Sequence, residues 1–120
     1  MSTALIVEDV QTDLMIFTNY LETIGWRVIS ATSGEDALTY LNDHQPDIVF
    51  LDIVLPGRSG FEICRTIKSQ TDTRKIPVVM CSTKNTDMDR FWGLKQGADF
   101  YLAKPVARNE FLAVLEKLVR

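Results

Sequence analysis

Apolar and polar residues are grouped along the chain in a pattern that predicts five strands and five helices in strict alternation. Continuous apolar runs, typical of strands buried on both faces, lie at residues 4–7, 48–51, 77–81 and 100–103. A shorter run at residues 26–30 contains a polar residue, so we expect it at an edge of the sheet. Helical spacing predicts buried faces with Leu14, Phe17, Leu21 and Ile24 in the first helix, Phe61, Cys64 and Ile67 in the third, and Phe111, Leu115 and Leu118 in the last. The alternation predicts an α/β fold, a doubly wound sheet with helices on both faces.

Other residues predict where the helices begin and end. The first helix is expected to stop at Gly25, and the fourth, at residues 86–96, is expected to stop at Gly97. The last helix, at residues 108–119, follows Ala107, where a capping Asp or Ser would be expected. Two more helices open with predicted capping boxes, formed by Ser33 with Asp36 and by Ser59 with Glu62.

The composition narrows the functional classes. A chain of 120 residues is long enough for one domain with its own core, and its net charge of −3 gives no electrostatic reason to bind nucleic acid. No apolar run is long enough for a membrane span, and the N-terminus lacks the basic start of a secretory signal. Cys64 and Cys81 have no metal-ligand spacing and are expected to be buried reduced thiols, while His44 is expected to be solvated. We therefore expect a cytoplasmic protein whose residues 1–120 form a single domain without an output domain.

Charged residues follow three of the predicted strands directly. Glu8 and Asp9 follow the first strand, Asp52 follows the strand at residues 48–51, and Lys104 follows the last strand. Open α/β sheets bind their ligands at the carboxyl ends of the strands. Taken singly, an acid here can be a turn or helix-start residue and the lysine a surface residue. Together, three acids and one lysine predict a site for a cation and a phosphoryl group.

These residues resemble the receiver domains of bacterial two-component response regulators, and the resemblance covers the whole chain. The matching positions are Glu8-Asp9, Asp52 with Pro56 and Gly60, Ser82, Gly97-Ala98-Asp99, Tyr101 and Lys104-Pro105. The resemblance implies a flavodoxin-like (βα)5 three-layer sandwich whose five parallel strands have the order 2-1-3-4-5. It also implies a phosphorylation switch, not an enzyme that turns over a metabolite.

The resemblance assigns a role to each residue of the site. Asp52 is expected to accept the phosphoryl group. Mg²⁺, or Mn²⁺ in its place, is expected to be bound by Asp9, Asp52 and the backbone carbonyl of Val54, with Glu8 acting through a water molecule. Lys104 is expected to contact the phosphoryl oxygens, and Ser82 to offer them a hydroxyl, although Thr83 beside it offers another.

The resemblance also implies partners and a response. The phosphodonor is expected to be a sensor histidine kinase or a histidine phosphotransfer protein, and the downstream protein is not named by the sequence. After phosphorylation Ser82 is expected to move toward the phosphate and Tyr101 to turn inward, which changes the surface of the fourth helix, fifth strand and fifth helix. Met88 and Trp92 either extend this surface or pack in the core. Residues 92–98 are similar to receivers of twitching motility, so motility or chemotaxis is a possible pathway.

Two positions are expected to set the lifetime of the phosphoryl group. Val54 and Lys84 each lie two residues after a site residue, beside the expected path of a hydrolytic water. Fast members of the family often have an amide or an acid at these places. An apolar Val54 positions water poorly, so the sequence predicts slow self-dephosphorylation.

Other interpretations of the same pattern remain open. The chain could be a receiver cut from a larger regulator, or a receiver that binds partners without phosphorylation, which the intact Asp9, Asp52 and Lys104 argue against. A phosphatase of the haloacid-dehalogenase type would need a second Asp where Val54 stands. A flavodoxin-like FMN protein would need a phosphate loop rich in Ser, Thr and Gly after the first strand, where acids stand instead.

Overall fold

Five parallel strands alternate with five helices in this computed structural model, which describes residues 1–119. The elements are β1 (Thr3–Val7), α1 (Gln11–Glu22), β2 (Arg27–Ala31), α2 (Gly34–Asp43), β3 (Ile48–Leu51), α3 (Gly60–Ser69), β4 (Val78–Ser82), α4 (Asp87–Lys95), β5 (Phe100–Ala103) and α5 (Arg108–Leu118). All neighbouring strands are parallel and their order is β2-β1-β3-β4-β5. The predicted fold class and strand order are confirmed, and β2 lies at an edge as its polar residues indicated.

The sheet separates two layers of core. Successive side chains of a strand point to opposite faces, so β1 and β3 contribute to both layers. One face packs on α1 and α5, with Phe50, Phe17 and Phe111 in the contact; the Phe50 and Phe111 ring centroids lie 4.3 Å apart. The other face packs on α2 and α3, and Gly93 brings α4 against Met80. No helix in residues 1–119 combines the length and the apolarity that crossing a bilayer requires.

The helix starts only partly match the predicted capping boxes. Ser33 and Ser59 each accept a hydrogen bond from the backbone N–H three residues later, at 3.1 and 3.4 Å, but within residues 1–119 the acidic partner returns no bond. The complete capping box is one the sequence analysis missed, at Thr86 and Asp89, where side chain and backbone bond in both directions at 3.1 Å. Ala107 starts α5 without a side-chain cap, as predicted.

Three predicted core positions need correction. Ile24 is 42% exposed, because α1 ends at Glu22 and Ile24 lies in the turn that Gly25 completes with a φ of 84°. Phe61 is only partly buried, because α3 directs Gly60, Ile63, Cys64 and Ile67 at the sheet and Phe61 lies beside that face. Leu118, in the last turn of α5, is likewise only partly buried.

Candidate functional site

The predicted charged residues meet at the carboxyl edge of the sheet. Three of them, Glu8, Asp52 and Lys104, each lie one residue beyond a strand, and each backbone N–H continues the parallel pairing by donating to a neighbouring strand or the residue after it. The bonds run from Glu8 to Ala31 at 2.9 Å, from Asp52 to Val7 at 3.1 Å, and from Lys104 to Ser82 at 3.0 Å. The sheet itself therefore fixes the backbone of the site, while the side chains project into the crevice at its edge.

Lys104 binds three carboxylates at once. Its ammonium donates to Glu8 Oε1 at 2.6 Å, to Asp13 Oδ2 at 2.9 Å and to Asp52 Oδ2 at 3.0 Å. Glu8 and Asp52 are almost fully buried, with 1% and 6% of their surface exposed. Three donors on one ammonium are thus matched to three acceptors, but the charges are not balanced, and the cluster keeps an excess of negative charge.

Burial affects the pKa values of both partners of the ion pair between Glu8 and Lys104. It raises the pKa of Glu8 from its ordinary 4.5 to about 7; the Asp52 charge acts in the same direction, and the hydrogen bond from Lys104 opposes it. Burial alone would lower the pKa of Lys104, but its bonds to Glu8, Asp13 and Asp52 outweigh burial and raise that pKa above its ordinary value. The lysine therefore stays charged, and Glu8 loses its negative charge on acidification through about pH 7.

Three of the acids can converge on a cation. One oxygen of each of Glu8, Asp9 and Asp52 lies within 4.8 Å of the other two, and Asp9 is exposed to solvent. Mg²⁺ prefers carboxylate and water oxygens and usually keeps several of its waters, so a half-open set of carboxylates suits it. The donor set fits the metal that the resemblance implied.

The segment after Asp52 is held close to it. The N–H of Val54 donates to Asp52 Oδ1 at 3.2 Å, and the N–H of Gly60 donates to the carbonyl of Ile53 at 2.8 Å. A Cβ on Gly60 would lie 2.1 Å from the carbonyl oxygen of Asp52, so only glycine allows this approach. The start of α3 therefore packs directly against the backbone of Asp52, the candidate phosphoacceptor.

Ser82 and Tyr101 are joined through the backbone of Lys84. Ser82 is fully buried, and its Oγ accepts the N–H of Lys84 at 3.2 Å. The hydroxyl of Tyr101 donates to the carbonyl of Lys84. Tyr101 is 4% exposed and already points inward, with the Arg90 guanidinium 5.4 Å above its ring. The loop after β4 thus links the predicted hydroxyl to the predicted aromatic residue.

The structure decides between the two interpretations of Met88 and Trp92. They are 63% and 48% exposed, so core packing is excluded for both. Phe91, which the sequence analysis did not single out, is exposed beside them, and its ring meets that of Trp92 edge-on at 6.0 Å. Tyr101, expected on the same partner surface, is buried in this conformation, and the Lys84 side chain is exposed.

Asp13 is a member of the site that was not predicted from the sequence, whereas the exposure of His44 and the burial of the two cysteines were predicted. Asp13 binds Lys104 from the first turn of α1; its place in the first turn of the helix that follows Glu8 and Asp9 was the available clue. His44 is exposed and stacks on Tyr40. The two cysteines, at positions 64 and 81, are buried and unpaired, and burial raises the pKa of both thiols.

Comparison with known proteins identifies the family of this chain. A sequence model of the response regulator receiver domain matches residues 4–116. Protein PilH of Pseudomonas aeruginosa is 36% identical over 119 residues, which cover 99% of this chain and 98% of PilH. Transcriptional regulatory protein AfsQ1 of Streptomyces coelicolor is 40% identical over 120 residues, and this chain, matched over 100% of its length, spans 52% of that protein.

A solved structure shows the same fold with a metal. The receiver domain of sensor histidine kinase PA1611 from Pseudomonas aeruginosa has a TM-score of 0.91 and 27% identity, over 98% of this chain and 96% of that one. Its magnesium ion is coordinated in the active site cleft. The chain therefore belongs to the family of response regulator receiver domains, which act as switches in phosphorylation-based signalling.

Proposed function

We propose that Asp52 accepts a phosphoryl group from a histidine kinase or a histidine phosphotransfer protein. The observation that carries the proposal is the buried contact of Asp52 with Lys104 at 3.0 Å, beside Glu8 and Asp9. The sheet fixes the backbone of Asp52, and the ammonium of Lys104 partly neutralises its carboxylate. A phosphodonor would approach from the side of the exposed Asp9, where the site is open to solvent. Charged residues whose pKa values are perturbed by burial and by one another, gathered in a crevice, mark a candidate functional site, so the arrangement supports a chemical role.

The reaction needs little from the protein beyond placement and charge. An oxygen of Asp52 attacks phosphorus as the bond to the donor's leaving atom breaks, which forms an acyl phosphate. Lys104 opposes the negative charge of the transferred group, and the Ser82 hydroxyl donates to one of its oxygens. Lys104 must then release part of its contact with Glu8 and Asp13.

A divalent cation completes this account. Asp9, Asp52 and the carbonyl of Val54 would hold Mg²⁺ or Mn²⁺, with Glu8 acting through a water molecule. When bound, such an ion supplies positive charge to the attacking carboxylate and the phosphoryl oxygens. Glu8, Asp9 and Asp52 otherwise repel an anionic donor, because Lys104 alone does not balance them.

The signal is proposed to pass from Ser82 to α4. Phosphate adds about −1.5 to −2 charges at neutral pH, which attracts the Ser82 hydroxyl. Movement of Ser82 displaces the backbone of Lys84, because the Ser82 Oγ accepts a hydrogen bond from the Lys84 N–H. The displacement reaches Tyr101, because the Tyr101 hydroxyl donates to the Lys84 carbonyl. The exposed Met88 and Trp92 on α4 then change their affinity for a partner protein in the cytoplasm.

Intact mass spectrometry tests the proposal. Incubation with acetyl phosphate and Mg²⁺ is expected to add the mass of one phosphoryl group to the native chain, and none to Asp52→Asn. Asp43→Asn, at the exposed end of α2 on the opposite edge of the sheet, is the matched control and should be modified like the native chain. No gain in the native chain, or an equal gain in Asp52→Asn, contradicts the proposal.

We further propose that the phosphoryl group is lost slowly. The side chain of Val54 is exposed beside the site and offers no group to orient a water. Val54→Asn adds a polar amide and is expected to shorten the half-life about tenfold, or ~1.4 kcal/mol in barrier. The decay of the phosphorylated mass after donor removal measures this, with the exposed Ile16→Asn on α1 as control. A native half-life of seconds in Mg²⁺ buffer contradicts the prediction.

A further inference from the structure

Glu35, outside the site described above, contacts the loop that carries Asp52 and Val54. This β3–α3 loop comprises residues 52–59. The Glu35 carboxylate accepts the backbone N–H of Arg58 at 3.3 Å. Both of its oxygens lie 3.0 Å from the place where a Cβ on Gly57 would be, and Gly57 has a φ of +74°. The carboxylate therefore occupies the space left by a glycine at the turn of the loop.

The position of Glu35 is itself fixed by packing. It is the second residue of α2, and Gly34 before it lies so close to α3 that a Cβ would be 2.3 Å from the Ile63 side chain. Ser33 caps the same turn. The carboxylate thus extends from an anchored helix start onto the loop.

The far end of the loop is tied to α3 by Arg58. Its guanidinium donates to Thr66 Oγ1 at 2.9 Å and lies 3.6 Å from Glu62 Oε2. The near end is tied to the site by the Val54 N–H on Asp52. At the far end, the bond from the Arg58 N–H to Glu35 adds a tie from α2 to the ties that Arg58 makes with α3.

We propose that Glu35 is a positioning residue that holds the β3–α3 loop in its metal-binding conformation. The inference rests on the proposed function, because Val54 is a ligand only if the site takes a divalent cation. A loop that must be ordered on binding lowers affinity by the entropy of ordering. One hydrogen bond to the loop contributes about 0.5–1.5 kcal/mol, so its removal should weaken Mg²⁺ binding about two- to tenfold.

Three variants separate this role from ordinary stabilisation. Glu35→Ala removes the acceptor, and Glu35→Gln keeps an acceptor oxygen at the same length. Asp36→Ala, in the same exposed turn, loses an equal charge but has no side-chain bond to the loop within residues 1–119. Isothermal titration with Mg²⁺ alone gives the dissociation constant, and amide hydrogen exchange at Arg58 reports the bond without metal.

Glu35→Ala is expected to bind Mg²⁺ about two- to tenfold more weakly and to exchange the Arg58 amide faster, in line with the loss of one hydrogen bond. Glu35→Gln and Asp36→Ala should keep the native affinity and the native exchange. A Mg²⁺ affinity of Glu35→Ala equal to that of Asp36→Ala overturns the positioning role even when the native chain binds metal and is phosphorylated. A native chain that binds no Mg²⁺ overturns this inference and the proposed metal site together.

Discussion

Lys104 carries the electrostatic balance of the site as a single residue. Its ammonium nitrogen lies within 3.0 Å of carboxylate oxygens of Glu8, Asp13 and Asp52, while Asp9 lies on the exposed side of the site. Removing one partner of such a buried set leaves uncompensated charge, which is costly. The site therefore has an excess of negative charge, which a bound cation or a proton on Glu8 reduces.

The raised pKa of Glu8 predicts pH-dependent metal binding. Because that pKa is about 7, Glu8 is protonated below neutrality and ceases to attract a cation. The Mg²⁺ affinity should fall about tenfold from about pH 8 to about pH 6 by proton competition. Titration calorimetry at both pH values checks this, and Glu8→Gln should flatten the dependence while Glu22→Gln, at the exposed end of α1, should not.

The same shift has a defined sign for stability. The folded protein holds a proton on Glu8 that the unfolded chain releases near 4.5. Without metal, this group's contribution to the free energy of unfolding is therefore complete below pH 4.5 and is lost as pH rises through about 7. For the metal-binding prediction, an affinity for Mg²⁺ that stays constant or rises on acidification contradicts the role of Glu8 as the titrating group that binds the cation.

Among elements, the start of α3 is the one most tightly coupled to the chemistry. Its first residue, Gly60, touches the Asp52 backbone, and Ser59 caps it. The ends of three strands and the first turn of α1 supply the site's charged residues, but the start of α3 determines the path of the chain as it leaves β3. The parallel sheet gives the residues one edge, and the helix start gives Asp52 its backbone conformation.

Gly60→Ala should damage the site more than it damages the fold. The new Cβ would lie 2.1 Å from the Asp52 carbonyl, so α3 or the loop must shift, at a cost of about 1–3 kcal/mol in unfolding free energy. Phosphorylation by acetyl phosphate should be lost or strongly slowed. Ser59→Ala costs a similar ~0.5–2 kcal/mol through the lost cap and is the control that should keep phosphorylation.

Denaturant unfolding and intact mass, measured on both variants, separate the two effects. If Gly60→Ala is phosphorylated as fast as Ser59→Ala, the contact does not control Asp52. A loss of phosphorylation in both variants at equal stability would mean that any weakening of α3 is sufficient.

Sequence patterns predicted the elements well where periodicity and burial agree. The run into Asp52 became a strand buried on both faces, as expected for a central parallel strand. The predicted burial of Ile24 was wrong, because helical spacing cannot show that α1 ends two residues before it. The strand order came from the resemblance, since right-handed crossovers alone leave several windings possible.

Side-chain partners were harder to predict than backbone positions. Glu8, Asp52 and Lys104 were placed at one edge because parallel strands end there. Asp13 was not predicted, because its approach to Lys104 depends on the rotation of α1 over the sheet. The direct contact of Glu8 with Lys104 at 2.6 Å was not predicted, because the burial that brings the two side chains together is not visible in the sequence.

At the scale of the whole molecule, the site and the exposed face of α4 are connected through β4. Only Gly93 of α4 is buried, while Met88, Phe91 and Trp92 are exposed. A helix held this lightly can shift when the loop before it moves. This supports α4 as the element that reports phosphorylation to a partner.

Fluorescence of Trp92 should therefore respond to phosphorylation. Trp26 is the second tryptophan, so Trp26→Phe isolates the signal. Acetyl phosphate with Mg²⁺ should change the emission of Trp26→Phe, and the change should vanish when Asp52→Asn is added. Trp92→Ala should be phosphorylated normally, because its side chain lies on the exposed face of α4. Emission that stays constant while the mass shows full phosphorylation contradicts the proposed route to α4.

The central claim is that Asp52 alone changes covalently, and site mapping tests it most directly. Borohydride reduces an aspartyl phosphate to homoserine, so treatment after acetyl phosphate and Mg²⁺ marks the modified residue for peptide mass spectrometry. We expect homoserine at position 52, none at Asp9 or Asp13, and no 5-hydroxynorvaline, the product that a glutamyl phosphate would give, at Glu8. Reduction at another carboxylate, or none in a chain that has bound Mg²⁺, would contradict the account.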